Sequence, residues 1–558
     1  MISRICRWRY CASLGEWPSR ATGLLAIIAL VLTCSAALLA AGPPVQPFEA
    51  ANWSTPANVV DAQVEAFLAK QGVALRNPCS DSVFIRRVYL DVIGTLPAAK
   101  DVDAFLNDQS SDKRAKLIED LLARDEFADY WAMKWADILR VKSEFPVNLW
   151  PNAVQAYYRW IHDAIRDNKP YDQFARELLT SSGSNFRVPQ VNFYRAVQGR
   201  DSASIAKVVA LTFMGVRFDK LPKAAQGQMA AFFSKVAYKK TSEWKEEIIH
   251  MDPAATKAVD TAFPDGTTAK IPNGADPRLA FANWLTAPSN KWFARNIVNR
   301  VWAWTMGRGI IHEPDDIRTD NPPASPEVLA CLEKELVKSK YDLKQVYRLV
   351  LNSRTYQQSS IPHGDTANPK VAFAHYTVRQ LDAEVLIDAM CWIGGDGEKY
   401  SSPIPEPFTF IPTEQRTIAL ADGSITSAFL TTFGRPSRDT GVESERSNQP
   451  TDTQRLYMLN SSDVQRRIQK SPRLQAVINS TSGGATAPAS KRGQARPRGG
   501  NRAATIRRIY LMILSRYPTQ AELSVAQKYF AMKGLLPKDA TADLAWALIN
   551  SKEFLFRH

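Results

Sequence analysis

With 45% hydrophobic residues, 14 tryptophans and 558 residues in all, the chain excludes a disordered polymer and exceeds one ordinary core, so two domains plus an export segment are expected. The formal charge of +14 looks like a nucleic-acid signal until it is located: residues 1–42 hold four Arg and one Glu, and residues 470–508 hold nine Lys or Arg with no acid. Those two stretches account for +3 and +9 of it, so the body is nearly neutral and no nucleic-acid partner is expected.

In chain order, Arg4, Arg7, Arg9 and Arg20 precede an uncharged apolar run over 21–42. That is an export signal, either cleaved or kept as a membrane anchor, with the body outside the cytoplasm. Residues 43–56 read as a linker. Helices are expected over 59–71, from a cap at Asp81-Ser82 to Gly94, and over 101–106, 114–123 and 127–141. Trp131 and Trp135, at i and i+4, mark buried packing. Further helices follow at 152–167, 171–180, 202–215 and 230–238. Residues 239–275, with Asp265-Gly266, form an irregular connection able to hold a short hairpin. Two packed amphipathic helices then run through Leu279, Leu285, Phe293, Ile297 and Val301, and Gly307 stops the second. Residues 374–394 and 453–468 read as long helices, 395–428 as proline-rich loop with room for an edge strand, and 480–501 as a disordered basic insert. The fold class is thus mainly α: two packed helical domains (57–238 and 276–558, joined by 239–275) with few short strands.

The stretch from Asp276 to Ser360, beginning DPRLAFANWLTAPSNKWFARNIVNRVWAW, is the least generic. Together with DSVFIRRVYLDVIGTLP near residue 81, WADILR near 135, FLTTFGRPSRDTGVESERS near 429 and NSKEFLFRH at the end, it resembles a pair of linked domains of unknown function. These occur in large exported proteins of planctomycete-type bacteria, where the first domain accompanies a cytochrome c module. The resemblance lends no secure activity. In relatives a Gly-Val-Arg-Phe-like segment continues into Cys-x-x-Cys-His; here Gly215-Val216-Arg217-Phe218 does not, so no covalent c-type haem is expected. Relatives also place cysteines where Val442 and Ser444 stand.

Two polar clusters are candidate sites. Glu443 and Glu445 would share one face of a strand, as a weak cation site or an acid/base pair, against the alternative of an acidic edge paired with Arg435, Arg438 or Arg446. His312, Asp315 and Asp316, beside Glu313, could hold a divalent cation, against the alternative of caps and turns. Asn296, Asn299 and Arg300 could tie that loop down or bind a ligand carboxylate. The six histidines show no metal-protease spacing, and no nucleophile elbow, phosphate loop or dinucleotide fingerprint occurs. The tryptophans, Trp131, Trp135, Trp150, Trp160, Trp284, Trp292, Trp302 and Trp304 among them, could include a sugar-stacking platform, against the alternative of core packing for most of them; Trp150 and Trp292 are expected to be the exposed pair. The residues Lys491, Arg492, Arg496, Arg498 and Arg502 could attract anionic polymers or lipid headgroups. Three cysteines in the body, Cys79, Cys331 and Cys391, allow at most one disulfide. The expected function is an exported cell-envelope protein, a binding or scaffolding partner of other envelope proteins in a cytochrome-related or polymer-handling system. The alternative is an extracytoplasmic enzyme on complex carbohydrate.

Overall fold

The structure is a computed structural model that describes residues 48–362, 372–481 and 501–558. The expected export segment and residues 482–500 of the expected basic insert lie outside these residues; at the insert's edges Ser480 and Thr481 end helix Pro472–Thr481, and Asn501 caps helix Arg502–Leu514. Among the described residues no helix is long and apolar enough to cross a membrane. Phe48–His558 forms one compact unit, mainly α-helical with a few short strands.

The first helix, Val59–Lys70, starts on a capping box in which the Asn58 side chain accepts from the Asp61 amide and the Asp61 carboxylate accepts from the Asn58 amide. The same carboxylate, fully buried, also accepts from the amides of Arg354 and Thr355, both at 3.0 Å. One side chain therefore satisfies the orphan donors of two helix starts far apart in sequence. The next helix, Asp81–Val92, is capped by Ser80 rather than by the expected Asp81-Ser82. Asp81 instead pairs with Lys113 at 2.7 Å and Arg114 at 2.8 Å, which takes its carboxylate away from the helix amides. On that helix Arg86 is buried, its guanidinium donating to the carbonyls of Ile513 at 2.8 Å and Phe554 at 3.1 Å. The neighbouring Arg87 reaches the His558 carbonyl at 2.9 Å. The two ends of the body are thus packed together.

Trp131 and Trp135 on helix Asp125–Ile138 are buried as expected. Trp131 meets Tyr347 at 4.4 Å and Trp304 at 5.4 Å between ring centroids, so aromatic packing joins the first half of the chain to the second. Burying each ring contributes about 2–3 kcal/mol. Trp150 and Trp292 are half-buried rather than open; Trp292 rests on Trp284 at 5.7 Å.

Helix Ser202–Val209 continues as a π-helical turn, Ala210–Met214, and stops at Gly215 with φ +63°. A Cβ there would stand 2.6 Å from the Asn296 side-chain oxygen, so only glycine fits. The expected helix over 230–238 is instead helix Lys223–Ala231 followed by strand Val236–Lys240. This strand pairs antiparallel with Glu247–Met251, which also pairs with Gly183–Ser184; the ladder bonds of this hairpin and its third strand outweigh the local helical pattern. The expected hairpin is present, with Val259–Ala262 against Thr268–Ile271 across Gly266.

Helix Phe293–Met306 ends at Gly307 with φ +80°, as read from the sequence. The long helix expected over 374–394 forms only as Ala383–Gly394, because Arg379–Gln380 is drawn into a two-stranded antiparallel pair with the C-terminal Phe556–Arg557. The helix expected over 453–468 is two, Asp452–Asn460 and Ser462–Gln469, broken at Ser461, whose hydroxyl accepts from the Asp463 amide. Cys79, Cys331 and Cys391 are free thiols.

Arg86→Ala leaves two buried carbonyls without their donor, so a loss of about 3 kcal/mol is expected. Thermal unfolding of the variant against the parent chain measures it; an unchanged melting temperature contradicts the bridging role.

Candidate ligand-binding site

Where the two halves of the chain meet, a cavity of about 390 Å³ opens among Lys134, Trp304, Arg308, His312, Asp382 and Glu443. Lys134 comes from helix Asp125–Ile138 and Trp304 from the end of Phe293–Met306. Asp382 immediately precedes helix Ala383–Gly394. Glu443 opens a short 3₁₀ turn, Glu443–Glu445. Arg379, Arg446 and Arg557 complete the wall.

Behind the wall lies a lattice of buried charges. Arg446 pairs with Asp137 at 2.6 Å and with Glu384 at 2.7 Å. Arg438 takes the other oxygen of Asp137 at 2.9 Å. Asp382 accepts from Lys134 at 3.1 Å, from Arg557 at 2.9 Å, from the Tyr130 hydroxyl at 2.9 Å and from the Asn448 amide at 2.9 Å. Asp91 holds Arg379 at 2.8 Å and accepts from the hydroxyls of Tyr356 and Tyr376. Burial would raise the Asp382 carboxyl, but Lys134, Arg557 and Arg446 hold it well below the carboxylate range. Glu384, likewise pushed up by burial, is pulled down to about 2 by Arg446 and Arg435.

The candidate acids separate into structural and available groups. Asp315 is buried, paired with Arg300 at 2.5 Å and accepting from the Glu443 amide at 2.5 Å. Asp316 pairs with Arg318 at 2.8 Å. Glu445 accepts from the amides of Asp439 and Thr440 and from the hydroxyls of Ser437 and Thr440, which fastens its own loop. Glu443 is different: among the described residues no salt bridge closes on it, although it lines the cavity. Burial pushes its carboxyl up and the Asp315 charge adds to this, with Lys134 opposing. Lys134 is shifted the other way, lowered by burial and by Arg446.

The remaining candidates hold the frame. Asn299 exchanges hydrogen bonds with Ile311, at 3.0 Å to its carbonyl and 2.8 Å from its amide. Arg300 donates to the carbonyls of Thr212 at 2.6 Å and Leu211 at 2.9 Å, and Asn296 also donates to Thr212. These carbonyls belong to the π-helical turn, where the wider ladder leaves acceptors for side chains. Arg435 reaches Glu384 at 3.4 Å and the Ile425 carbonyl. His312 is half exposed on the cavity wall, 3.7 Å from Glu313. The structure thus brings the two sequence-read clusters together: the Asp315 carboxylate bonds the backbone of Glu443. Among the described residues no three His, Cys, Asp or Glu side chains stand close enough to share a metal ion.

Sequence reading missed Lys134, Asp91, Asp137, Asp382, Glu384, Arg379 and Arg557. One signal was available: Lys134 interrupts the apolar face between Trp131 and Trp135, where a buried lysine needs a carboxylate partner. A larger hollow of about 710 Å³ lies beside Trp392, but Asp396 and Glu398 on its wall are spent on Arg467 at 2.7 and 2.5 Å.

Residues 59–237 match the family described as PSCyt2, protein of unknown function (DUF1549). Residues 277–530 match the one described as PSD1, protein of unknown function (DUF1553). No curated protein and no solved structure matches the chain.

The carboxyl shifts give opposite pH signatures. Glu384 is depressed in the fold, so its stabilisation is present above the unfolded value of 4.5 and fades as pH falls toward about 2. Glu384→Gln is expected to lower the melting temperature at pH 7, with the gap to the parent chain narrowing in acid. Glu443 is raised, so its ionisation costs stability as pH rises above 4.5. Glu443→Gln is expected to raise the melting temperature at pH 8 and to leave it unchanged at pH 4. Melting curves across that range check both signs.

Proposed function

We propose that this chain, which belongs to the tandem family of DUF1549 and DUF1553 proteins, is an exported cell-envelope protein that binds the anionic group of a ligand in the cavity between its two halves. The basic and apolar residues ahead of the body support export. The observation that carries the binding reading is the imbalance of partners on the cavity wall. Arg308 is exposed there and has no hydrogen-bond or ion-pair partner among the described residues. Lys134 has Asp382 as its acceptor, and that carboxylate is already shared with Arg557, Tyr130 and Asn448. Arg379, Arg446 and Arg557 on the same wall are already paired with Asp91, Asp137, Glu384 and Asp382, so Arg308 is the base left for a ligand, and the one wall acid without an ion pair, Glu443, has its carboxyl pushed up by burial. An anion entering the cavity gains charge-assisted hydrogen bonds in partly desolvated surroundings and displaces no existing pair.

A second reading rests on Glu443 and Lys134 themselves. A carboxyl shifted up and an amine shifted down in one cavity are the poise of a general acid and a general base. This supports an extracytoplasmic enzyme on an anionic substrate, with Glu443 giving a proton and Lys134, held on Asp382, standing beside it.

Phosphate, sulfate and galacturonate, titrated into the purified chain by calorimetry, test the binding reading. At least one is expected to bind, and Arg308→Ala to weaken it about tenfold, the loss of one charge-assisted contact. A chain that binds none of the three overturns the reading. Glu443→Gln separates the two proposals: it keeps or tightens anion binding in both, and abolishes turnover only if Glu443 is the acid.

A further inference from the structure

Three loops far apart in sequence bring aromatic rings to one place on the surface. Trp150 lies at the end of the loop after helix Asp125–Ile138. Trp244 is at the turn between strands Val236–Lys240 and Glu247–Met251. Phe408 belongs to the proline-rich 403–412 loop. The Trp150 ring centroid is 5.6 Å from that of Phe408 and 6.4 Å from that of Trp244. These rings are not spent on the core: Trp244 is 70% and Phe408 57% exposed. Phe145 and Phe410, on two of the same loops, are 77% and 73% exposed. Trp150 is held at φ +74°, a conformation that a bulky side chain rarely adopts.

Trp244 also forms a wall of a separate cavity of about 430 Å³, and this decides the chemistry of the occupant. Inside it Glu247 is paired with Arg195 at 2.5 Å and Arg200 at 2.8 Å, and Glu246 accepts from Ser184 and Thr241. Lys240, Ser242, Glu243 and Lys245 are left to face a ligand. The Lys245 ammonium stands over the Trp244 ring at 5.5 Å. Four bases, Arg195, Arg200, Lys240 and Lys245, stand against three acids, Glu243, Glu246 and Glu247, and a flat apolar ring next to hydroxyl, carboxylate and ammonium groups of nearly cancelling charge matches a molecule with apolar faces and hydroxylated edges. We infer that this platform binds a neutral glycan chain, with a sugar face stacked on Trp244 and its hydroxyls in the adjoining cavity. One excess positive charge among seven gives little preference for a polyanion. A lipid bilayer would cover the polar cavity and desolvate Glu243 without a partner. The platform is distinct from the anion cavity and shares no lining residue with it.

Native electrophoresis tests this inference, using the full chain held in a detergent without a sugar headgroup, in gels containing mannan, xylan, laminarin or hydroxyethyl cellulose. Retardation by at least one polymer is expected. Trp244→Ala and Phe408→Ala, both at exposed positions, are expected to weaken it about tenfold each while leaving the melting temperature unchanged. Retardation by none of the four, or equal retardation of parent and variants, overturns the inference. So does a result in which the variants instead lose binding to phosphatidylcholine vesicles, or lose self-association in sedimentation, since the patch would then serve a membrane or a second copy. Phosphate binding at the other cavity is read in the same preparations and is independent of either outcome.

Discussion

Arg446 is the interaction on which the rest of the structure depends. Its guanidinium is buried and grips Asp137 from the first half of the chain and Glu384 from the second. Taking such ions out of water costs several kcal/mol each, and apolar groups of the same shape would hold the halves together at least as firmly. What the ions add is direction. A planar fork bonded to two carboxylates fixes the helices Asp125–Ile138 and Ala383–Gly394 in one register. The aromatic contacts of Trp131 with Tyr347 and Trp304 supply the non-directional burial behind it.

The cavity follows from that register. Lys134 lies one turn before Asp137, Asp382 two residues before Glu384, and Glu443 three before Arg446, so each lattice member carries a neighbour to the cavity wall. The C-terminus closes the arrangement: strand pairing of Phe556–Arg557 with Arg379–Gln380 sets two arginines side by side on Asp91. The loop that carries His312 and Asp315 is fixed independently, by Asn299 to Ile311 and by Arg300 to Asp315. A site framed this way is rigid where it is paired and open at Arg308 and Glu443, where it is not.

The aromatic platform has a different origin. Its rings stand on loops rather than on the lattice, placed by their mutual contacts, the turn between two strands and local backbone bonds such as Trp150 to the Ser143 carbonyl. Position on loops over a rigid helical body is the usual arrangement for recognition surfaces. Apolar area left at the surface on three separate loops has no folding role to explain it.

By itself the sequence determined the helical class, most helix positions, room for a short hairpin within 239–275 and the stop at Gly307, because periodicity, caps and turn glycines are local. It also marked Asp315, Glu443 and Arg446 as polar residues worth placing. It did not determine which acid is free, since Asp315, Asp316, Glu443 and Glu445 look alike until their partners are known. Those partners lie far away along the chain: Asp315 meets the Glu443 amide, and Asp137 meets Arg446. The same distance explains the misread segments. Arg379–Gln380, inside a stretch of helical pattern, pair with the C-terminal strand, and Val236–Lys240 pair with Glu247–Met251, which in turn is bordered by Gly183–Ser184 from farther back in the chain. Only the tertiary structure decided these, because hydrogen bonding and charge pairing across the fold outweigh local propensity wherever a buried group must be satisfied.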